Sequence, residues 1–168
     1  NTILTQPIRR QVTGLHIVLQ RTSGSKVNMS NPTEQLDIHP ITDPFEADMA
    51  AKFIVSELWH DPKLKPVEVE AAKKHLSRMD ELQIGAFDDD GRLVGVAGLA
   101  NGSTLDERQW ALVVDVATIS DKRRSGIGTA VMAAVHDFAR SKGVEEAVIV
   151  SPTKAGGALY RKLGYQWD

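Results

Sequence analysis

Residues 114–135 read VDVATISDKRRSGIGTAVMAAV: a β-branched run, a basic turn holding two glycines, then apolar residues at helical spacing. The run from Trp110 to Ile119 is long and β-branched, which predicts a central strand buried on both faces. Ile127, Val131, Ala134, Val135 and Phe138 recur at intervals of three and four, so a helix follows. Ser141-Lys142-Gly143 closes it with a glycine suited to the left-handed cap. Between strand and helix, Gly126 and Gly128 stand where the backbone N–H groups of a first helical turn converge and the helix dipole adds positive potential. That combination is an anion site. Glycine permits close approach of the backbone and positive φ, while Arg123 and Arg124 add charge that survives any pH.

Two nucleotide motifs fail on the residues. The P-loop requires Gly-Lys-Ser/Thr, but Gly128 is followed by Thr129-Ala130; the dinucleotide fingerprint requires glycine or alanine where Val131 stands, and an early position in the chain.

Upstream, Leu82–Phe87 and Leu93–Ala100 flank Asp88-Asp89-Asp90-Gly91-Arg92, whose Asp-Gly pair predicts an antiparallel hairpin with a solvated tip. Leu36, Ile38 and Ile41, with Pro40 and Thr42, predict a short strand leading to a turn at Asp43-Pro44. A helix then carries Phe45, Met49, Ala50, Phe53, Ile54, Val55 and Leu58 on one broad stripe until Asp61-Pro62 ends it. A second helix is expected from Val67 to Met79, with Val69, Ala72, Leu76 and Met79 on one side and Lys73, Lys74 and Arg78 on the other. Downstream, Ala147–Val150 reads as a strand broken at Ser151-Pro152, Ala155–Leu163 as a helix ended by Gly164, and Tyr165–Trp167 as a stubby last strand. The order βααβββαβαβ predicts an α/β (α+β) fold: a mixed, mostly antiparallel sheet with helices on both faces and a right-handed crossover.

The chain has 168 residues, 42% of them hydrophobic, which suffices for a core without metal or disulfide support. It has no cysteine, so thiolate metal sites and a cysteine nucleophile are excluded. The formal charge of -2 gives no net attraction to nucleic acid or to an anionic membrane. No apolar run approaches the roughly 18 residues of a membrane-spanning helix, so a cytoplasmic protein is expected. The first 33 residues nevertheless carry Arg9, Arg10, Arg21 and Lys26 and not one carboxylate. Residues 1–35 are read as a basic arm and linker, the one place where nucleic acid or another acidic partner would bind, and residues 36–168 as the folded domain. Within the arm, Gly14–Leu19 has the composition of a short strand.

Arg123, Gly126 and Gly128 resemble the Arg/Gln-x-x-Gly-x-Gly/Ala signature of the GNAT superfamily of N-acetyltransferases. A second segment, TKAGGALYRKLGY at 153–165, resembles that family's stretch Asn-x-x-Ala-x-x-Leu-Tyr-x-Lys-x-Gly-Phe/Tyr through Leu159, Tyr160, Lys162, Gly164 and Tyr165. Thr153 stands in place of the family's asparagine, Gly156 in place of its alanine, and Ser120 in place of a proline often found before the glycine turn. The resemblance implies acetyl-CoA as cofactor. The amides of Arg123, Arg124, Ser125, Gly126, Ile127, Gly128 and Thr129 would hold its pyrophosphate; main-chain groups of Val116, Ala117 and Thr118, with Thr153 and Tyr160, would line the pantetheine. It also implies that Tyr160 acts as catalytic acid.

Acetyl transfer to an amine needs a neutral nitrogen, a polarised carbonyl and a proton for the leaving thiolate. A phenol is protonated at neutral pH, which suits Tyr160 to the last task. Asp115 is the one ionisable residue inside its strand, and burial there is costly unless the carboxylate is paired or used; it is the candidate base. Asp43, Glu46, Trp59, His60 and Glu81 are candidates for the acceptor side. The five histidines lack metal-ligand spacing, so no metal is expected. The expected function is transfer from acetyl-CoA to a small-molecule amine, a lysine or an N-terminus. Two rivals remain: a catalytically inactive protein that keeps the fold and the coenzyme site, and a small nucleotide-binding regulator. Because relatives continue through another strand where this sequence stops, an open sheet edge is expected that would pair with a partner or with the basic arm, and with it a homo-oligomer.

Overall fold

The computed structural model describes residues 14–19, 35–78, 81–101, 109–150 and 152–167. The elements are β1 (Leu15–Val18), β2 (Asp37–Pro40), α1 (Pro44–Phe53), α2 (Pro66–Arg78), β3 (Glu81–Phe87), β4 (Leu93–Asn101), β5 (Trp110–Thr118), α3 (Ile127–Ser141), β6 (Glu146–Ile149), α4 (Lys154–Lys162) and β7 (Gln166–Trp167). From β2 onward this is the expected βααβββαβαβ order. A π-helical turn, Ile54–Leu58, finishes α1, and a 3-10 turn, Ser120–Lys122, follows β5.

The strands form one sheet in the order β2-β3-β4-β5-β6-β1-β7. Among the described strands only β5 and β6 run parallel; the other neighbours are antiparallel. β1 is wedged between β6, along Leu15↔Ile149 to Val18↔Glu146, and β7, at Leu15↔Trp167 and His16↔Gln166. Of the two partners expected for an open sheet edge, another molecule or the N-terminal arm, the sheet takes the arm: the chain's own Gly14–Leu19 segment pairs between β6 and β7. Arg9, Arg10, Arg21 and Lys26 lie outside the described residues.

Local chemistry fixes the ends of the elements. Asp43 caps α1 by accepting hydrogen bonds from the N–H groups of Phe45 (2.7 Å) and Glu46 (3.2 Å), with Pro44 in the first turn. In the β3–β4 hairpin, the Asp88 carboxylate accepts from the N–H groups of Arg92 and Asp90 while Gly91 takes a φ of 72°. Chiefly the Arg92 N–H holds the Asp88 carboxyl below its usual range. The aspartate run is therefore a turn-forming device.

Val94, Val96 and Ala97 are fully buried, so both faces of β4 are covered. On one of them α3 presses Ile127 and Val131 against Gly95, where a Cβ would stand only 2.7 Å from Ile127 Cγ2. Full burial of each aliphatic side chain in such a layer contributes about 1.5–3 kcal/mol. A smaller cluster of Ala51, Val55, Val69 and Ala72 joins α1 to α2.

Candidate active site

β5 does not stay packed on both sides as its sequence predicts. Its parallel pairing with β6 covers only Trp110↔Glu146, Ala111↔Ala147 and Leu112↔Val148. Beyond Leu112 the pairing stops, one residue before β6 ends at Ile149, and Val114 to Thr118 are half-buried although β5 is central. The edge of β5 that faces the gap has main-chain groups without a strand partner, a ladder open to a ligand that lies along it. Val116, Ala117 and Thr118 stand on this stretch.

The glycine turn lies at the wide end of the gap. Arg124 and Gly126 are both left-handed, with φ of 63° and 92°. Ser125 Oγ donates to the Lys122 carbonyl and tightens the turn. Gly126 is the N-cap of α3, and no side chain caps that helix; the first backbone bond into the turn is Ala130 N–H to Gly126 C=O at 3.0 Å. The N–H groups of Ile127, Gly128 and Thr129 are left without helical acceptors, the condition for anion binding. A Cβ on Gly126 would meet nothing within 4 Å, so the approach is open. One on Gly128 would stand 3.1 Å from Leu159 Cδ2 and 3.4 Å from Thr118 Oγ1, which shows how closely α3, α4 and the end of β5 converge. Exposed Arg123 bends back over this junction: Nε donates to the Thr118 carbonyl at 3.4 Å, and Nη2 lies 3.5 Å from Glu57 Oε2.

α4 brings Tyr160 to the same convergence. Thr153 is its N-cap, accepting from the Gly156 N–H at 3.0 Å, and thereby fixes the entry to the helix. Tyr160 is 6% exposed, and burial pushes its phenol above the ordinary range, so it carries its proton at neutral pH. Its ring stands edge-on to Tyr165, centroids 5.8 Å apart. Tyr165 Oη is in turn 2.7 Å from His136 Nε2. Burial, with a smaller contribution from Arg140, lowers His136 to about 4, so this imidazole is neutral and serves as interior support.

Residues 48–165 match the Acetyltransferase (GNAT) family. The chain belongs to the GNAT family. Solved structures agree on the fold. A Trypanosoma brucei acetyltransferase superposes with a TM-score of 0.63 at 21% identity, covering 79% of this chain and 93% of that one. A predicted acetyltransferase with acetyl-CoA from Clostridium acetobutylicum gives 0.64 at 14%, covering 79% and 90%. An aminoglycoside acetyltransferase from an uncultured soil metagenomic sample gives 0.61 at 22%, covering 77% and 91%. No curated protein sequence matches the chain. Among the described residues no helix is long and apolar enough to cross a membrane.

In this GNAT acetyltransferase Asp115 occupies a special place on β5. The β4–β5 register passes from Gly98↔Val114 to Val96↔Ala117, so Asp115 and Val116 oppose the single residue Ala97. Asp115 itself is left-handed, φ 51°, and its side chain is only 12% exposed. Its Oδ2 lies 2.9 Å from Nε2 of His75 on α2. Neither His75 nor Glu57 is among the residues singled out from sequence. His75 is embedded among the charged residues of α2, and Glu57 is displaced by the π-helical turn, where one extra residue per turn rotates the side chains out of the α-helical register.

The other acceptor-side candidates scatter. Asp43 caps α1. Glu46 pairs with His39 at 3.1 Å, and that contact, opposed by burial and helped by Asp37, raises His39 above its usual range. Trp59 is partly exposed, and His60 is left-handed in the α1–α2 connection. Glu81 opens β3. A cavity of ≈ 570 Å³ lined by Asp37, His39, Phe45, Glu46, Phe87 and Asp89, among others, lies beside the edge strand β2, whereas the glycine turn and the divergence of β5 from β6 lie elsewhere.

Proposed function

We propose that this acetyltransferase moves the acetyl group of acetyl-CoA directly to an amine, on a small molecule, a lysine or an N-terminus. The observation that carries this reading is the stretch of β5 after Leu112 that has no pairing with β6 and runs up to an uncapped helix N-terminus. Coenzyme A fits these residues. Its diphosphate matches the unpaired N–H groups of Ile127, Gly128 and Thr129 and the clear space at Gly126. Its pantetheine matches the edge of β5 along Val116, Ala117 and Thr118 that lacks a neighbouring strand, with exposed Arg124, Ser125 and Arg123, which also donates to the Thr118 carbonyl, around the phosphates.

When bound, acetyl-CoA supplies an acetyl group activated as a thioester. The β5 bulge sets two residues, Asp115 and Val116, against one on β4, so a main-chain N–H freed from the ladder there would be a donor fixed in advance of any charge that develops on a carbonyl oxygen beside it. Asp115 brings a half-buried carboxylate to the same bulge, which draws in an amine; an acceptor that arrives as an ammonium ion sheds one proton to solvent before it attacks as the neutral amine. Tyr160, largely buried and protonated, holds at Oη the proton that a departing thiolate would need.

Calorimetric titration with acetyl-CoA, followed by thiol release across an amine panel, tests the reading. Tyr160→Phe is expected to bind acetyl-CoA as the wild type does and to lose roughly 10²–10⁴-fold in kcat. Binding without turnover on any amine would defeat the acetyl-transfer reading; full turnover by Tyr160→Phe would defeat the role given to the phenol.

A further inference from the structure

We infer that His75 is the group that takes the proton from the acceptor amine, and that Asp115 positions it; this rests on the acetyl-transfer reading above. Four observations converge on the pair. The two residues are 40 positions apart in sequence, yet His75 Nε2 is 2.9 Å from Asp115 Oδ2. The carboxylate is nearly enclosed, with 12% of its side chain exposed, whereas the imidazole keeps 39% and so reaches the solvent from which an acceptor arrives. Asp115 holds a left-handed backbone, φ 51°, inside a bulge of the central strand. Such a conformation is strained for a residue with a side chain and is retained where the placement of that side chain matters. Finally, the bulge adjoins the half-buried run of β5 that diverges from β6.

The chemistry follows from the direction of the hydrogen bond. An ionised carboxylate can only accept, so Nε2 carries the hydrogen and donates it to Asp115. The lone pair is then on Nδ1, and that atom has no hydrogen-bond partner among the described residues. Nδ1 is the basic atom, turned away from the buried carboxylate. As the acceptor nitrogen bonds to the acetyl carbon, one of its N–H bonds breaks and the proton forms a new bond to Nδ1. The resulting imidazolium is stabilised by Asp115, as a carboxylate stabilises the imidazolium of other buried pairs. The thiolate is protonated by Tyr160; His75 returns its proton to water and Tyr160 takes one up. One proton leaves the amine, one arrives at sulfur, and no other reactant is required.

The test compares His75→Gln, His75→Ala and Asp115→Asn with the wild type, on the best amine of the panel. His75→Gln is expected to lower kcat by roughly 10²–10⁴-fold while the acceptor KM and the acetyl-CoA affinity stay within about twofold. Added imidazole is expected to restore part of the kcat of His75→Ala, a recovery that a purely structural histidine would not permit. Asp115→Asn keeps a side chain that tolerates φ above zero, so its fold is preserved. It is expected to lose less than His75→Gln and to gain nothing from imidazole. Wild-type kcat in His75→Gln, or no rescue of His75→Ala, would overturn the inference. So would a larger loss in Asp115→Asn than in His75→Gln, because the carboxylate would then be the base itself. A wild type inert toward every amine would sink the acetyl-transfer reading and the inference with it, whereas an active wild type with an indifferent His75 would sink the inference alone.

Discussion

A Cβ on Gly156 would stand 2.9 Å from Cε2 of Tyr160, so the absence of a side chain at the first position is what lets the phenol lie against the first turn of α4. The alanine that the family pattern carries there is incompatible with this ring position. Helix propensity by itself favours Gly156→Ala by about 1 kcal/mol. The substitution is therefore expected to leave Tm unchanged or slightly raised while kcat falls about tenfold, because the ring has to swing away. Equal kcat in the two proteins would show that the ring's position does not govern turnover.

The anion site is testable with a matched pair of glycines. Gly126 and Gly91 have φ of 92° and 72°, and a Cβ on either meets nothing within 4 Å. Alanine at each position is expected to cost about 1 kcal/mol of stability in urea unfolding, for the same backbone reason. Only Gly126→Ala is expected to weaken acetyl-CoA binding, about tenfold by calorimetry. Parallel losses in both variants would mean that the effect is global.

Arg123 makes two contacts at once, Nε to the Thr118 carbonyl and Nη2 to Glu57. A lysine has one compact ammonium and cannot span both. Arg123→Lys is expected to weaken acetyl-CoA binding about fivefold despite the conserved charge, and Glu57→Gln to make the affinity more sensitive to salt. Identical salt titrations for Glu57→Gln and wild type would contradict the second expectation.

His136 predicts a pH dependence of stability. Its value falls from 6.5 in the unfolded chain to about 4 in the folded protein, mainly through burial. Above the unfolded value neither state binds the proton and the histidine costs nothing. As pH falls toward the folded value, the unfolded state gains a proton that the folded state refuses, and stability declines by up to about 3 kcal/mol. His39 has the opposite sign: its raised value stabilises at low pH and that contribution is lost as pH rises. The informative measurement is therefore the difference between wild type and His136→Leu, whose stability gap at pH 7.5 is expected to shift in favour of the variant by pH 5. A gap independent of pH would show that His136 takes up its proton equally readily in the folded and unfolded chain, contrary to the burial argument.

What could be read from sequence was what is decided locally. The glycine turn was legible because positive φ and converging amides depend on Arg124, Gly126 and their immediate neighbours, and α4 because Thr153, Gly156 and Tyr160 follow one another at steps of three and four residues. The departure of β5 from β6 was not, since β-branched residues favour a strand whether or not a second strand continues alongside. The same holds for Asp115. Its isolation in an apolar run announced a partner, but nothing along the chain pointed to His75 on the polar side of α2. Glu57 escaped because α1 ends in a π-helical turn, which shifts every later side chain from the stripe that periodicity predicts.

The wedging of β1 between β6 and β7 has a practical side. Four residues from the amino-terminal portion stitch the closing stub Gln166–Trp167 to the rest of the sheet, and they lie outside the span 48–165 matched to the family. A fragment trimmed to that span would leave the amides and carbonyls along one side of β6 bare, a template for clumping with other molecules. Expression for any of the assays above has to begin upstream of Gly14.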